Sequence, residues 1–329
     1  MAKTTSITNT SSRALSVARE WSADATLRLV LQVFAIALMA IIVGFFVQLA
    51  LMAAPVISSM GVAGFLFDNN WDVAHEIFGA WPLVVGTVIT SVIALIIGVP
   101  VAVSAAIYIT EFAPARLRST LALLLDLLAA IPSVVYGLWG VFVLIPTLKP
   151  IERWVASTFD FVPFIGGAVN GPNYFVAGLI LAIMIIPIVS AISREVLSTV
   201  PLAEKEAALA LGATRIEVIR LAVLPHSAAG IVSAVMLGLG RAIGETIAVT
   251  LVIGNAAIIG QSIFSQGYTL AAVVANEFGE AEPGSVHSAA LIAAGVVLFI
   301  LTFIVNATAR VLIMRRTVKR VSVADKVVA

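Results

Sequence analysis

Hydrophobic residues fall in six long blocks, near 29 to 53, 82 to 108, 119 to 148, 174 to 197, 228 to 255 and 288 to 313, and the stretches between them hold most of the charge. Each block reaches the roughly 20 residues needed to cross about 30 Å of hydrocarbon, so the pattern predicts six transmembrane helices and an all-α membrane protein. The first block follows 28 mostly polar residues and is about 25 residues long, too long for the core of a signal peptide. It is read as a retained helix.

Composition agrees. Of 329 residues 61% are hydrophobic and only 11% are charged, against about 25% charged in an ordinary soluble domain. With no cysteine, disulfides, thiolate metal sites and cysteine nucleophiles are excluded. The net charge of +1 matters less than where the charges lie. If the amino terminus is cytoplasmic, 16 of the 19 basic residues fall on that side: Lys3, Arg13, Arg19 and Arg28; Arg116 and Arg118; Arg194, Lys205, Arg215 and Arg220; and Arg310, Arg315, Arg316, Lys319, Arg320 and Lys326. Outside lie only Lys149 and Arg153, so the positive-inside rule selects this orientation, with both termini cytoplasmic. The external loops, about 54–81, 149–173 and 256–287, are acidic, rich in turn residues and too short for a separate domain. The Ser/Thr-rich first dozen residues are expected to be disordered.

The cytoplasmic segment 198–225 reads "STVPLAEKEAALALGATRIEVIRLAVLP". Pro201 suits a helix start and Gly212 the position just past a helix end, which gives a first helix over about 201–211. Thr214 with Glu217 has capping-box spacing and opens a second, which Pro225 is expected to end before the fifth span. Two capped helices make a rigid elbow, and Ala207, Ala208 and Leu211 beside Glu204 and Glu206 form a face suited to a groove on a partner protein.

Arg241 is the one basic residue deep within a block, Arg194 and Arg310 lying at the ends of theirs. It lies about 20 Å along the fifth span, near the bilayer midplane, with Glu245 expected one helical turn further on the same face. A charge there costs about 2.5–3.5 kcal/mol on insertion scales, so exposure to lipid is disfavoured and a function is the default reading. The structural alternative is an intrahelical salt bridge that only neutralises itself, which leucines would replace without loss of stability. Arginine suits a tetrahedral oxyanion, because its planar fork donates two parallel hydrogen bonds and keeps its charge when buried. A carboxylate can accept from protonated phosphate and repels fully ionised sulfate, so Glu245 is expected to discriminate between them. Gly240 and Gly244 have the spacing that lets a second helix come close, and Gly238 extends that surface. In the third span Pro132 is expected to kink the helix, with Ser133 and Tyr136 offering polar groups at the break. Asp126 is expected to snorkel or to pair with Arg116, Arg118 or Arg194. His75, His226 and His287 have neither metal-ligand nor triad spacing and are read as structural or solvated. The sequence offers no catalytic residues and no metal site.

Glu206, Ala207, Ala208, Gly212, Leu224 and Pro225 reproduce the spacing of the EAA loop of ABC-importer permeases, with Ala222 where that pattern has isoleucine. Together with "IPSVVYGLWG" at 131–140 and "GLGRAIGETIAV" at 238–249, the chain resembles the permease subunits of Pst-type phosphate importers, the C-type in particular. That resemblance implies a type I ABC importer permease (MetI-like) fold of six helices over 29–315, with cytoplasmic tails at 1–28 and 316–329, in a bacterial plasma (inner) membrane. It implies that the six EAA-loop residues couple to an ATPase, and that Arg241, Glu245, Ser133 and Tyr136 line the substrate pathway. The implied partners are a sister permease of the A-type, a homodimeric cytoplasmic ATPase and an extracytoplasmic phosphate-binding protein. The chain has no phosphate-cradling G-x-x-x-x-G-K-[ST] of its own, so ATP and Mg are expected on the ATPase and no cofactor on this chain. Three rivals stand beside this: an ABC permease for sulfate or molybdate, an ion-coupled anion transporter or channel, and a non-transporting scaffold.

Overall fold

The computed structural model describes residues 8–328, with side chains from 26 to 308 and at 311. Lys3 and the side chains of Arg13, Arg19 and the basic residues from Arg310 to Lys326 lie outside the described residues. Two compact units divide the chain, residues 1–52 and 53–329. The first holds the amino-terminal part of α1 (Thr8–Phe67), whose apolar side chains lie open all round; Phe34 and Ile41 are each 70% exposed. A helix apolar on every face is one that lipid covers. The first dozen residues, expected to be disordered, are helical from Thr8 onward, because the Ala-, Arg- and Glu-containing stretch that follows favours helix.

Among the described residues six helical spans are long and apolar enough to cross a membrane: Thr26–Phe67, Trp81–Phe112, Ser133–Thr158, Tyr174–Ser198, Arg215–Ile243 and Val286–Thr308. In the second unit a short hairpin, β1 (Trp71–Asp72) with β2 (Ile77–Phe78), leads into α2 (Trp81–Ile107). There follow α3 (Ala115–Ala130), α4 (Ser133–Trp139), α5 (Ile145–Thr158) and α6 (Tyr174–Ser198). The elbow is α7 (Leu202–Ala210) and α8 (Arg215–Val218), and beyond it come α9 (Leu224–Ile243), α10 (Ile247–Ile253), α11 (Leu270–Glu277) and α12 (Val286–Val328).

The core forms around α6, where Tyr174, Ile180, Leu181 and Ile185 are almost fully buried. Glycines bring its neighbours close: a Cβ on Gly98 of α2 would sit 2.9 Å from Ile185, and Cβ atoms on Gly230 and Gly238 of α9 would sit 2.4 Å from Val196 and 2.7 Å from Val189. Where water does not drive helices together, such close backbone approach supplies the packing contacts instead.

Two blocks expected to be single helices are broken. In the third, Ile131 and Pro132 are both extended, because a proline disfavours helical geometry in the residue before it. The kink expected at Pro132 is therefore a complete break, and the candidate span shifts along the chain to Ser133–Thr158, shortening the connection that follows it. In the fifth, α9 stops at Ile243 and α10 starts only at Ile247, across Gly244 and Thr246, both poor helix formers. The second elbow helix also departs from expectation: α8 does not end at Pro225 but continues through a π turn into α9.

Among the described residues three π turns occur, at Tyr108–Phe112, Gly140–Leu144 and Ile219–Val223, and each ends two residues before a proline, at Pro114, Pro146 and Pro225. In each the residue just before the proline donates five residues back, to Tyr108, Gly140 or Ile219. A proline ring cannot donate and collides with the preceding turn of an α-helix; one extra residue per turn makes room for Pro146 and Pro225, whereas before Pro114 the helix ends, with Ala113 and Pro114 extended.

At the end of the bundle opposite the elbow, Asn173 caps α6 by accepting from the Val176 N–H at 2.8 Å, donates to Glu152 of α5 at 3.1 Å, and donates its own backbone N–H to the Val252 carbonyl of α10 at 3.0 Å. One buried amide thus ties three helices. Nearby, the Trp71 Nε1–H donates to Glu277, which also lies 3.0 Å from His287. The Asn276 amide donates to the Tyr268 hydroxyl at 3.0 Å. Burial first, and the Glu277 and Glu280 carboxylates after it, push that phenol up to about 12, so it stays neutral.

Candidate functional site

Arg241 occupies the last turn of α9 and Glu245 the break beyond it. They are not one turn apart on a continuous face, and among the described residues no ion pair joins them. The expected intrahelical salt bridge is absent because the helix that would carry it ends at Ile243. Each charge instead sits at a helix end that favours its sign, the cation at the C-terminus of α9 and the carboxylate ahead of α10. Glu245 is half-buried, and its Oε1 lies 3.5 Å from the Ala248 N–H, a long contact that leaves its acceptor capacity largely unused.

Arg241 is exposed on the surface of this chain, while Ala242 and Ile243 beside it are buried. Gly238 turns that buried face onto α6. Gly240 and Gly244 do not bring another helix of this chain close, since no neighbour within 4 Å faces Gly240 and only the Gly240 carbonyl faces Gly244.

The two broken spans meet. Gly137 on α4 lies against α10 so closely that a Cβ there would sit 2.6 Å from Leu251 Cδ1 and 3.1 Å from the Ala248 Cα. Gly140, one turn on, leaves the same kind of room for Val252. Tyr136 reaches back across the Pro132 break and donates its hydroxyl to the Leu128 carbonyl at 2.8 Å, which at the end of α3 otherwise accepts only a long bond, 3.4 Å, from the Ile131 N–H among the described residues. Its donor is thereby committed to the fold. Ser133, half-buried at the start of α4, makes no side-chain hydrogen bond among the described residues. Arg241, Tyr136 and the Glu245 break therefore share one region, with Ser133 on the neighbouring break. Asp126 lies 3.8 Å from Arg194, one of the three pairings expected for it as alternatives to snorkelling.

The elbow is built as its sequence suggests. Thr214 and Glu217 form a reciprocal capping box, and Gly212 holds φ +87 with open space where a side chain would project. Glu204, Ala207, Leu211, Gly212, Glu217 and Leu221 line an open groove of about 600 Å³, and Leu211 is 89% exposed. Ala208 lines the same groove, so Ala207, Ala208 and Leu211 share the face expected of them, and Ala208, half-buried, also packs against the cluster of Leu197, Val200, Val218 and Val223. Glu206 is exposed, while Leu224 and Pro225 are half-buried at the start of α9. Replacing Gly212 with alanine is expected to cost about 1–2 kcal/mol through the left-handed backbone alone, with no clash. Thermal unfolding of the purified chain measures it, and an unchanged midpoint would refute the strain.

His75, His226 and His287 each pair with a carboxylate, from Asp72, Glu204 and Glu277, and no group of three or more metal-ligating side chains is found among the described residues. Sequence reasoning missed Lys205 with Glu111 and Glu152 with Asn173, contacts between residues 94 and 21 positions apart.

Comparison with known proteins is decisive for the family. The family model described as "Binding-protein-dependent transport system inner membrane component" matches residues 98–318. The chain belongs to that family. A protein of Mesorhizobium japonicum named phosphate transport system permease protein PstC is 41% identical over 93% of this chain and 94% of its own. One of the same name from Pasteurella multocida is 44% identical over 76% of this chain and 79% of its own. Among solved structures, a chain of a bacterial ABC transporter involved in the import of the acidic polysaccharide alginate is 15% identical over 91% of this chain and 97% of that one, with a TM-score of 0.56, a likeness of fold alone. The chain is a multi-pass membrane permease of an ABC importer, with the six-span fold of the family.

Proposed function

We propose that the chain is one of two permeases of an ATP-driven importer of inorganic phosphate in a bacterial inner membrane, with both termini cytoplasmic. The observation that carries this reading is Arg241: a guanidinium in the apolar helix α9, without a carboxylate partner among the described residues and exposed on the surface of this chain rather than in its core. Half a pathway needs a second half, so Arg241 faces a sister permease across the translocation path and binds the anion in transit. The elbow groove receives a cytoplasmic ATPase, which binds ATP and Mg, and an extracytoplasmic binding protein delivers phosphate to the opposite end. The relatives named for phosphate transport support the choice of anion.

Uptake of labelled phosphate into proteoliposomes containing the assembled complex and binding protein tests the reading. Uptake that requires ATP is expected; uptake without an ATPase would favour the ion-coupled rival. Glu245 deepens the test. Because its spare carboxylate oxygen can accept a hydrogen bond from protonated phosphate, Glu245→Gln is expected to lower the preference for phosphate over sulfate about tenfold, the scale of one charge-assisted hydrogen bond. An unchanged preference removes Glu245 from selectivity.

A further inference from the structure

Lys205 on α7 donates to Glu111 Oε1 at 2.7 Å, and the two side chains keep only 21% and 16% of their exposure. Glu111 belongs to the π turn that ends α2. One turn along from Lys205, Ala208 shares its face of the helix and packs into the cluster that holds Ala106 and Ile107 of α2. The inner face of α7 is thus rooted on the end of α2, while Glu206, Ala207 and Leu211 stay open outside. A second tie from α7, Glu204 with His226 at 3.2 Å, is 44% and 38% exposed, and a pair so open contributes at most about 1 kcal/mol. The Lys205 pair is different: removing one partner strands a half-covered charge. It also ends on a π turn, a common site of functional flexing, and α2 packs along α6, where Ile185 meets both Gly98 of α2 and Gly238 of α9, the helix that carries Arg241.

We propose that the Lys205–Glu111 ion pair is the strut through which a displacement of α7 reaches α2 and the helices packed on it, so that both are positioning residues of the transport cycle. This rests on the proposed function in one respect, that an ATPase pushes on α7. ATP hydrolysis and phosphate uptake are to be measured on one preparation of the complete complex in proteoliposomes, for Glu111→Gln, Lys205→Met and the charge-reversed double variant Lys205→Glu with Glu111→Lys. Each single variant is expected to raise the ATP consumed per phosphate moved about tenfold, an ordinary coupling energy between sites, and the double variant to return it to within about twofold of the starting ratio. Single variants with an unchanged ratio overturn the strut, as does loss of the ATPase from their complexes, which would make the pair a docking element. Singles that lose hydrolysis and uptake in proportion overturn it too, as does a double variant that restores nothing. Uptake by the unmodified complex without ATP overturns the importer reading itself, and the strut with it; the other outcomes touch the strut alone.

Discussion

Arg241→Ala is expected to reduce phosphate uptake by the reconstituted complex about a hundredfold or more, with the partner subunits still bound. The size follows from what the guanidinium does for an anion in low dielectric: removing one member of a hydrogen-bonded charge pair costs about 2–5 kcal/mol, and every 1.4 kcal/mol is tenfold. Arg241→Lys keeps the charge and loses the fork, so it is expected to recover only part of the rate. A purely structural role makes the opposite forecast. Arg241 stands in the last turn of α9, where a cation stabilises the helix by about 0.3–1 kcal/mol; alanine would then lower the unfolding temperature slightly and leave uptake nearly intact. Normal uptake by Arg241→Ala would refute the pathway role.

Gly137→Val is expected to be the most damaging change to the architecture of the site. The α4–α10 crossing has no room for a side chain: the first carbon added meets Leu251 at 2.6 Å and the Ala248 backbone at 3.1 Å. Leu251 can rotate, but the α10 backbone cannot move without shifting the break that holds Glu245. Overpacking of this kind costs about 1–3 kcal/mol, and here the displacement also moves the Arg241 region, so both thermal stability and uptake are expected to fall. Gly240→Ala is the control. Nothing within 4 Å faces it, and replacing a glycine inside a helix with alanine is favourable by about 1 kcal/mol. The two variants are compared by thermal unfolding in detergent, and equal effects would show that the crossing is not the tight point.

What was legible in the sequence was whatever depends on neighbours along the chain. Hydropathy located all six spans, Thr214 with Glu217 announced its capping box, and Gly212 announced its left-handed turn. Each is a local rule with a strong signal. The breaks were harder, because an apolar run reads the same whether its helix is whole or cut. Pro132 predicted a disturbance of the right kind but too small, and Gly244 with Thr246 was a signal left unread between two apolar stretches. That misreading placed Glu245 on a helical face it does not occupy. Tyr136 appeared as a free polar group because its partner, the Leu128 carbonyl, exists as an acceptor only after the helix has ended. The Lys205–Glu111 and Glu152–Asn173 contacts have no local signature, since only tertiary packing brings them together.

The π turns before Pro114, Pro146 and Pro225 carry a geometric consequence. Each surplus residue advances the winding by about 100° without advancing the ladder. Side chains before and after positions 140–144 and 219–223 therefore belong to different angular sectors of what looks like one rod, whereas at 108–112 the helix simply ends. A wheel diagram drawn straight through either rod assigns the wrong compass bearing to everything beyond the slip. From Ile219 on, that includes Arg241, whose direction is set as much by the extra residue below it as by its own place in the helix.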